Sequence, residues 1–193
     1  MTGMPIRGRD TVEVLFAAEE IAESIDRIAV RIADAGLDRL LVVAVLKGSF
    51  VFAADLLRAM HRAGLAPEVD FISLASYRES TRSSGRVDVL RDIETDVRGR
   101  NVLIVDDILE SGRTLTFARD LIASRGAARV MTCVLLDKPV QRAVEIVADF
   151  KAFECPNEFV VGYGMDLAHR FRELPYVGRV VRADPDGGEV VQE

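Results

Sequence analysis

The stretch that decides the fold is VLIVDDILESGRT, residues 102–114. Its four leading apolar residues are typical of a parallel strand that is buried on both faces, so Asp106 and Asp107 are expected at the carboxyl end of that strand. Open α/β sheets bind ligands at this edge, and a glycine-containing loop before a helix presents backbone N–H groups to an anion. Carboxylates can accept hydrogen bonds from the hydroxyls of a sugar, and the neighbouring loop can bind its phosphate. Together these groups indicate a ribose-phosphate site. The alternative is an ordinary strand followed by a solvated acidic turn.

Helix-like and strand-like segments alternate along the rest of the chain. Isoleucines recur at helical spacing before Gly36, at Ile21, Ile25, Ile28 and Ile32. The apolar run 40–46 predicts a buried strand, and Ser49 is placed to cap a helix that ends near Gly64. Further strands are predicted at 69–75 and 130–136, and a further helix at 114–125. This order predicts an α/β fold with a mostly parallel, twisted sheet and helices on both faces.

The motif at 102–114 resembles the phosphoribosyl diphosphate signature of type I phosphoribosyltransferases. Four more motifs follow the order of the hypoxanthine-guanine (6-oxopurine) branch of that family: LKGSF at 46–50, SYRESTRSSG at 76–85, LLDKP at 135–139 and NEFVVGYGMD at 157–166. Together the motifs cover about residues 12–182. The resemblance implies transfer of the 5-phosphoribosyl group from phosphoribosyl diphosphate to N9 of hypoxanthine or guanine, which gives IMP or GMP and pyrophosphate.

The resemblance also predicts how the chain is divided. Residues 1–193 are expected to form one phosphoribosyltransferase domain with a core at about 17–148. A small hood subdomain is expected from about 12–16 and 149–182, with a last edge strand at 178–182, followed by an acidic tail at 183–193. The polar, Gly/Ser-rich segment 77–86 is predicted to be a mobile loop.

Composition limits the classes of partner. The net charge is −6 and the pI is about 5.1, which argues against nucleic acid as a partner. Cys133 and Cys155 lie in apolar surroundings and are expected to be buried, unreactive thiols. No apolar run is long enough for a membrane span or a signal peptide, so a cytoplasmic location is expected. The resemblance implies a homodimer or homotetramer.

Most of the expected site binds phosphoribosyl diphosphate. The resemblance places Asp106 and Asp107 at the ribose hydroxyls, or at a magnesium ion through water. Lys47 and Gly48 are expected at the pyrophosphate, with Ser76 and Tyr77 in a lid that excludes water. The 5′-phosphate is expected in a loop made of Glu110, Ser111, Gly112, Arg113 and Thr114, in which the Arg113 side chain is either a ligand or solvated. Lys47 and Arg172 also have the alternative of being ordinary surface charges.

The purine is expected between the ends of later strands. Lys138 would donate to the 6-oxo group, which adenine lacks, and its alternative is a salt-bridged surface lysine. Phe159 would stack on the ring and Val160 would offer backbone groups to its edge. Ile108 and Asp166 complete the predicted pocket. The predicted magnesium ligands are Asp106, Asp107 and Asp166.

Glu110 departs from the family pattern, which has Asp at this position to exchange a proton with N7 of the purine. Glutamate keeps the carboxylate and adds a methylene group, so the reach of the group changes before its chemistry does. The resemblance makes Glu110, Lys138 and Arg172 the expected catalytic residues.

Two other classes of protein are alternatives to a phosphoribosyltransferase. A non-catalytic RNA-binding regulator on the same fold would require a basic face, which the acidic composition does not favour. A two-component receiver also has an acidic pair and a later lysine, but its acidic pair lies near the N-terminus and it needs no Ser-Gly-Arg-Thr loop. His61 and His169 have no partners at ligand spacing and are expected at the surface.

Overall fold

A computed structural model describes residues 4–5, 11–76, 87–183 and 189–190. The predicted mobile loop, Tyr77 within it, and most of the acidic tail lie outside these ranges. The strands are β1 (Met4–Pro5), β2 (Thr11–Phe16), β3 (Leu41–Leu46), β4 (Glu68–Ser76), β5 (Val87–Arg91), β6 (Asn101–Leu109), β7 (Arg129–Asp137), β8 (Phe150–Glu154), β9 (Val160–Val161), β10 (Val177–Ala183) and β11 (Glu189–Val190). The helices are α1 (Ala18–Asp34), α2 (Phe50–Arg62) and α3 (Arg113–Ser124).

The larger sheet has six strands in the order β5-β4-β3-β6-β7-β8. All of its neighbouring strands are parallel except β5, which is antiparallel to β4. The predicted α/β fold with a mostly parallel sheet is therefore confirmed.

Both faces of the central strands β3 and β6 are covered, and side chains along these strands alternate between two apolar clusters. Ala44 and Val105 join the cluster formed with α1 and α2, whereas Val43 and Ile104 join the cluster formed with α3. The isoleucine stripe of α1 is fully buried in the first cluster, as its helical spacing predicts. Near-continuous apolar runs in β3 and β6 follow from burial on both sides.

Two edge strands differ from the prediction. β5 is an unexpected strand that pairs with β4 just after the predicted loop. β8 was assigned to the hood, but it pairs in parallel with β7 and completes the larger sheet, so the predicted hood boundary at residue 149 is wrong for this strand. The segment FKAFE is short and only partly buried, and the partner of such a strand is decided by tertiary packing.

A second, smaller sheet combines the two ends of the described chain. It is antiparallel, with β2 paired to β10, β9 and β11 also paired to β10, and β1 at its edge. The predicted last edge strand is therefore an interior strand of this sheet, because β10 has neighbours along both sides. Val12, Val161, Phe171 and Leu174 form its apolar core.

The chain turns in opposite directions after β3 and after β6. α2 leads from β3 outward to β4, and α3 leads from β6 outward to β7. The β3–β6 pairing ends at Ala44 and Val105, while the β6–β7 pairing continues to Leu109 and Asp137. This leaves a crevice at the carboxyl end of β3, which is the position where open α/β sheets bind ligands. No helix in the described part of the chain has the length and apolar character needed to cross a membrane.

Candidate active site

The two carboxylates of β6 lie at the crevice. The backbone N–H of Asp107 donates to Oδ1 of Asp106 at 3.0 Å, and the N–H of Ile108 donates to Oδ1 of Asp107 at 2.8 Å. Burial raises the pKa of Asp106 well above its usual range, and the adjacent charge of Asp107 raises it further. Burial also raises the pKa of Asp107, and hydrogen bonds from the Asp106 side chain and the Ile108 N–H, followed by the charge of Arg172, partly offset that rise. Buried carboxyl groups of this kind gain from hydroxyl partners such as those of a sugar.

The loop after β6 encloses a cavity of about 250 Å³. Gly112 has φ +78°, and a side chain there would overlap the backbone carbonyl of Val144, so the turn requires glycine. The N–H of Arg113 lies 3.4 Å from Oγ of Ser111, and α3 begins at Arg113. The Arg113 side chain lines neither this cavity nor the larger one described below. The small cavity is lined by Val45, Leu46, Lys47, Gly48, Leu74, Asp106, Asp107, Ile108, Leu109, Glu110, Ser111, Gly112, Thr114 and Leu115.

The turn after β3 approaches both carboxylate and backbone groups very closely. A Cβ at Gly48 would overlap the Asp107 carboxylate, and a Cβ at Gly164 would overlap the Gly48 carbonyl. Ser49 precedes α2 as predicted, but it does not cap the helix. Its φ and ψ are −77° and −5°, outside the extended conformation of a capping residue, and its hydroxyl donates to the Val45 carbonyl at 2.6 Å.

Lys138 lies at the end of the crevice opposite the loop that follows β6. Its backbone N–H donates to the Leu109 carbonyl at 3.0 Å, which fixes it beside β6. The residue is only 5% exposed, and its Nζ lies 3.3 Å from Oε1 of Glu110. Lys138 is therefore salt-bridged, as in the alternative interpretation, but it is buried and does not lie at the surface. A buried ammonium requires such a polar partner.

A cavity of about 430 Å³ extends from Lys138 to Arg172. Phe159 is 48% exposed at its rim, whereas Val160 is buried in β9. The Arg172 guanidinium contacts Asp166 at 2.6 Å and donates to the Gly164 carbonyl at 2.6 Å. Arg172 is therefore an anchored residue, not a free surface charge. The cavity is lined by Leu46, Lys47, Gly48, Ser73, Leu74, Leu90, Asp107, Ile108, Glu110, Lys138, Phe159, Val160, Met165, Asp166 and Arg172.

Thus the two cavities bring together nearly all of the predicted residues that the structure describes. They share a border formed by seven residues: Leu46, Lys47, Gly48, Leu74, Asp107, Ile108 and Glu110. Of the predicted lid, Ser76 ends β4 and Tyr77 lies outside the described residues. His169 is exposed and donates its N–H to Asp166 at 2.7 Å, and His61 is exposed, as expected.

The predicted metal ligands do not form a cluster of their own. Within the described ranges, no three His, Cys, Asp or Glu residues are arranged to hold a metal ion. Asp106 lines only the smaller cavity, Asp166 lines only the larger one, and Asp166 is paired with Arg172. Any magnesium ion would therefore take most of its ligands from substrate and water.

Sequence reasoning missed the apolar wall of the larger cavity. Leu74 and Leu90 come from the β4–β5 pair, Ser73 from β4, and Met165 from the turn before Asp166. The alternation in VDVLR at 87–91 was the available signal for β5.

Comparison with known proteins gives a consistent family. Residues 11–168 match the phosphoribosyl transferase domain. Hypoxanthine phosphoribosyltransferase of Escherichia coli K12 is 42% identical over 180 residues, covering 91% of this chain and 99% of its own length. Hypoxanthine-guanine phosphoribosyltransferase of Bacillus subtilis 168 is 41% identical over 170 residues, covering 88% of this chain and 93% of its own.

A solved structure gives the same result for the fold. The hypoxanthine phosphoribosyltransferase of Staphylococcus aureus superposes with a TM-score of 0.82 and 34% identity, covering 90% of this chain and 92% of its own. The RNA-binding alternative finds no support in these relatives, and the receiver alternative is wrong. The chain belongs to the phosphoribosyltransferase family, in the group of hypoxanthine and hypoxanthine-guanine phosphoribosyltransferases.

Proposed function

We propose that the protein transfers the 5-phosphoribosyl group from phosphoribosyl diphosphate to N9 of hypoxanthine or guanine. The products are IMP or GMP and pyrophosphate, so the role is purine salvage. The observation that carries this proposal is the pair of joined cavities, with a glycine loop at one end, a buried lysine at the other and Asp107 between them. That order of groups matches phosphate, ribose and purine in the product nucleotide.

Catalysis is proposed to rest on positioning and electrostatics. The bond from C1 to the pyrophosphate oxygen breaks, the bond from C1 to N9 forms, and positive charge develops on the sugar ring. Asp106 and Asp107 would hold the 2′- and 3′-hydroxyls, while Ser111, Gly112 and Thr114 would hold the 5′-phosphate. Lys47 and Arg172 would stabilise the negative charge that grows on pyrophosphate.

The proposed purine site combines Lys138 with Glu110. Lys138 would donate a hydrogen bond to the 6-oxo group, and Glu110, within 3.3 Å of that ammonium, would exchange the proton at N7. Adenine presents an amino group at position 6, so two donors would face each other. Sites built around such a hydrogen bond can reject the mismatched analogue by ~10⁴ or more.

Magnesium is the proposed cofactor. Mg²⁺ prefers oxygen ligands and is commonly bound through one or two carboxylates together with substrate phosphates and waters. Asp107 and Asp166 line the larger cavity near Arg172 and offer such oxygens, and Asp106 lies next to Asp107. The ion would neutralise charge on the diphosphate, and the protein residues would orient the sugar and the base.

We also propose assembly as a homodimer or homotetramer. Val69 and Phe71 leave an apolar strip exposed on one face of β4, and a second subunit would cover such a strip. Sedimentation equilibrium is the direct test, with a monomer at micromolar concentration as the contrary result.

The decisive experiment measures initial rates with phosphoribosyl diphosphate and each of hypoxanthine, guanine, xanthine and adenine. Hypoxanthine or guanine should be used, and adenine should be rejected. Lys138→Ala should lower kcat/KM for hypoxanthine by about 10²-fold or more, because a buried donor to the base is lost. Its Kd for phosphoribosyl diphosphate should stay within a few-fold of the parent value, and equal damage to both would remove Lys138 from the base site.

A further inference from the structure

A segment outside both substrate cavities connects their two ends. We name residues 139–147, between Lys138 and the residues that lead into β8, the strap. The backbone N–H of Val144 donates to the Ser111 carbonyl at 3.1 Å. The Val144 carbonyl and the Ile146 side chain occupy the space that a side chain at Gly112 would need. The strap therefore rests directly on the phosphate loop while its first residue follows the purine lysine.

One guanidinium holds the strap in this shape. Arg142 donates to the Asp137 carboxylate, to the Ile146 carbonyl and, at 3.4 Å, to the Lys138 carbonyl. Its side chain is 16% exposed, and that of Asp137 is 10% exposed. Lys151 also contacts Asp137, at 3.0 Å, but its other hydrogen bond goes to Glu154, which lies outside the strap. Only a planar, multi-donor group can bridge these separate acceptors, and lysine offers no such fork.

We propose that Arg142 is a positioning residue that fixes the separation between Lys138 and the phosphate loop at the length of one nucleotide. This proposal rests on the proposed function, because it takes Lys138 and Ser111–Gly112 as the two ends of the nucleotide site. Arg142 lines neither substrate cavity, so it acts through the residues on either side of it. A cavity of about 550 Å³ lies on its outer side and leaves the guanidinium partly accessible from solvent.

A fixed separation affects a linked ligand differently from its parts. IMP must place its base and its phosphate at once, so its affinity depends on the distance between the two subsites. Inosine and ribose 5-phosphate each need only one end to be well formed. Loosening the strap should therefore weaken IMP while each fragment binds nearly as before.

The experiment compares Kd values for IMP, inosine and ribose 5-phosphate by calorimetry. The proteins are the parent, Arg142→Gln, Arg142→Lys and the matched control Lys151→Gln, which removes the other cation from Asp137. Both Arg142 variants should bind IMP about tenfold or more weakly, a loss of ~1.4 kcal/mol or more. Their Kd values for the fragments should change by less than about threefold, and Lys151→Gln should match the parent for all ligands.

A circular dichroism spectrum at the assay temperature, together with a thermal melting curve, establishes that each variant is folded. If Arg142→Gln does not fold, Arg142→Lys decides, because it retains a charge beside Asp137. Unchanged IMP affinity in the folded variants would overturn the proposal, as would a parallel loss for IMP and both fragments. A parent protein that fails to bind IMP would instead overturn the proposed function.

Discussion

Glu110 is the residue at which this chain departs from the aspartate that the family resemblance implies. The longer side chain reaches Lys138 directly, with 3.3 Å between Oε1 and Nζ. The two residues proposed to handle the purine, one at the 6-oxo group and one at N7, are thus in contact before the base arrives. Glu110 also lines the smaller cavity, but its carboxylate is directed to Lys138, so a change at Glu110 should affect the base more than the sugar phosphate.

Glu110→Gln should lower the single-turnover rate by about 10²-fold or more, the usual scale of a general acid–base contribution. The KM for phosphoribosyl diphosphate should change little, because Ser111, Gly112 and Thr114 still hold the phosphate. Glu110→Asp is the complementary variant, since its rate shows whether the added methylene is a misfit or an adaptation. The rates of all three proteins should be measured across pH. A glutamine variant that equals the parent throughout would reduce Glu110 to a loop residue.

Ionised Asp106 lowers the free energy of unfolding near neutral pH, because its carboxylate is buried. Burial raises the pKa of Asp106 in the folded protein, so the folded state binds this proton more tightly than the unfolded chain does. Its stabilising contribution is therefore complete below the unfolded pKa of about 3.9 and is lost as pH rises toward the folded pKa.

Asp106→Asn should accordingly increase the free energy of unfolding at pH 7.5 by about 1–3 kcal/mol, the scale of an unsatisfied buried polar group, with a smaller increase or none at pH 4. The same variant should raise the KM for phosphoribosyl diphosphate, since a ribose ligand is altered. Urea denaturation at the two pH values and initial rates provide the measurements. Equal stabilisation at both pH values would assign the effect to something other than this titration.

At the scale of elements, the β4–β5 pair forms one wall of the larger cavity. Leu74 and Leu90 contribute apolar surface there, and Leu90 is 65% exposed. An exposed leucine contributes little to folding, and because Leu90 lines the cavity we expect a bound substrate to cover it.

Leu90→Ser should leave the melting temperature within about 2 °C of the parent, because surface substitutions usually change stability by less than about 0.5 kcal/mol. It should raise the KM for hypoxanthine by about 5- to 30-fold, because apolar contact worth about 1–2 kcal/mol is lost. Val30→Ser, an exposed position on α1 that lines neither substrate cavity, is the matched control. Identical kinetics for both variants would show that β5 is only an edge strand.

At the scale of the whole molecule, an acidic protein with a net charge of −6 is proposed to bind a polyanion. Excess chelator should therefore abolish turnover, because magnesium would no longer neutralise the diphosphate. The melting temperature should not change, since the described ranges contain no cluster that could hold a structural metal ion. Full turnover in chelator would contradict the proposed cofactor, and a lowered melting temperature would indicate a structural ion.

The part of this organisation that could be predicted from the sequence is the part that is encoded locally. Burial can be predicted directly from the apolar runs of β3 and β6 and from the isoleucine spacing of α1. The motif residues lie toward the carboxyl ends of parallel strands, and a parallel sheet brings these ends together. The partners of β8 and β10 could not be predicted, because short alternating strands fit more than one neighbour. The role of Arg142 was also hidden, since its acceptors are two backbone carbonyls and a carboxylate that only the folded strap brings together.

The contact between Gly48 and Gly164 has a consequence for how this protein can vary. The backbone of the turn after β3 lies so close to the turn that carries Asp166 that a side chain at Gly164 would overlap the Gly48 carbonyl, while a side chain at Gly48 would overlap the Asp107 carboxylate. A larger residue at position 164 would therefore push the two turns apart, and one at position 48 would displace the Asp107 carboxylate. A library randomised at both positions and selected for growth on hypoxanthine should therefore return glycine almost exclusively, while Val30 tolerates most residues. Side chains that line the cleft can therefore change in small steps, whereas the separation of the two turns depends on keeping glycine at position 164.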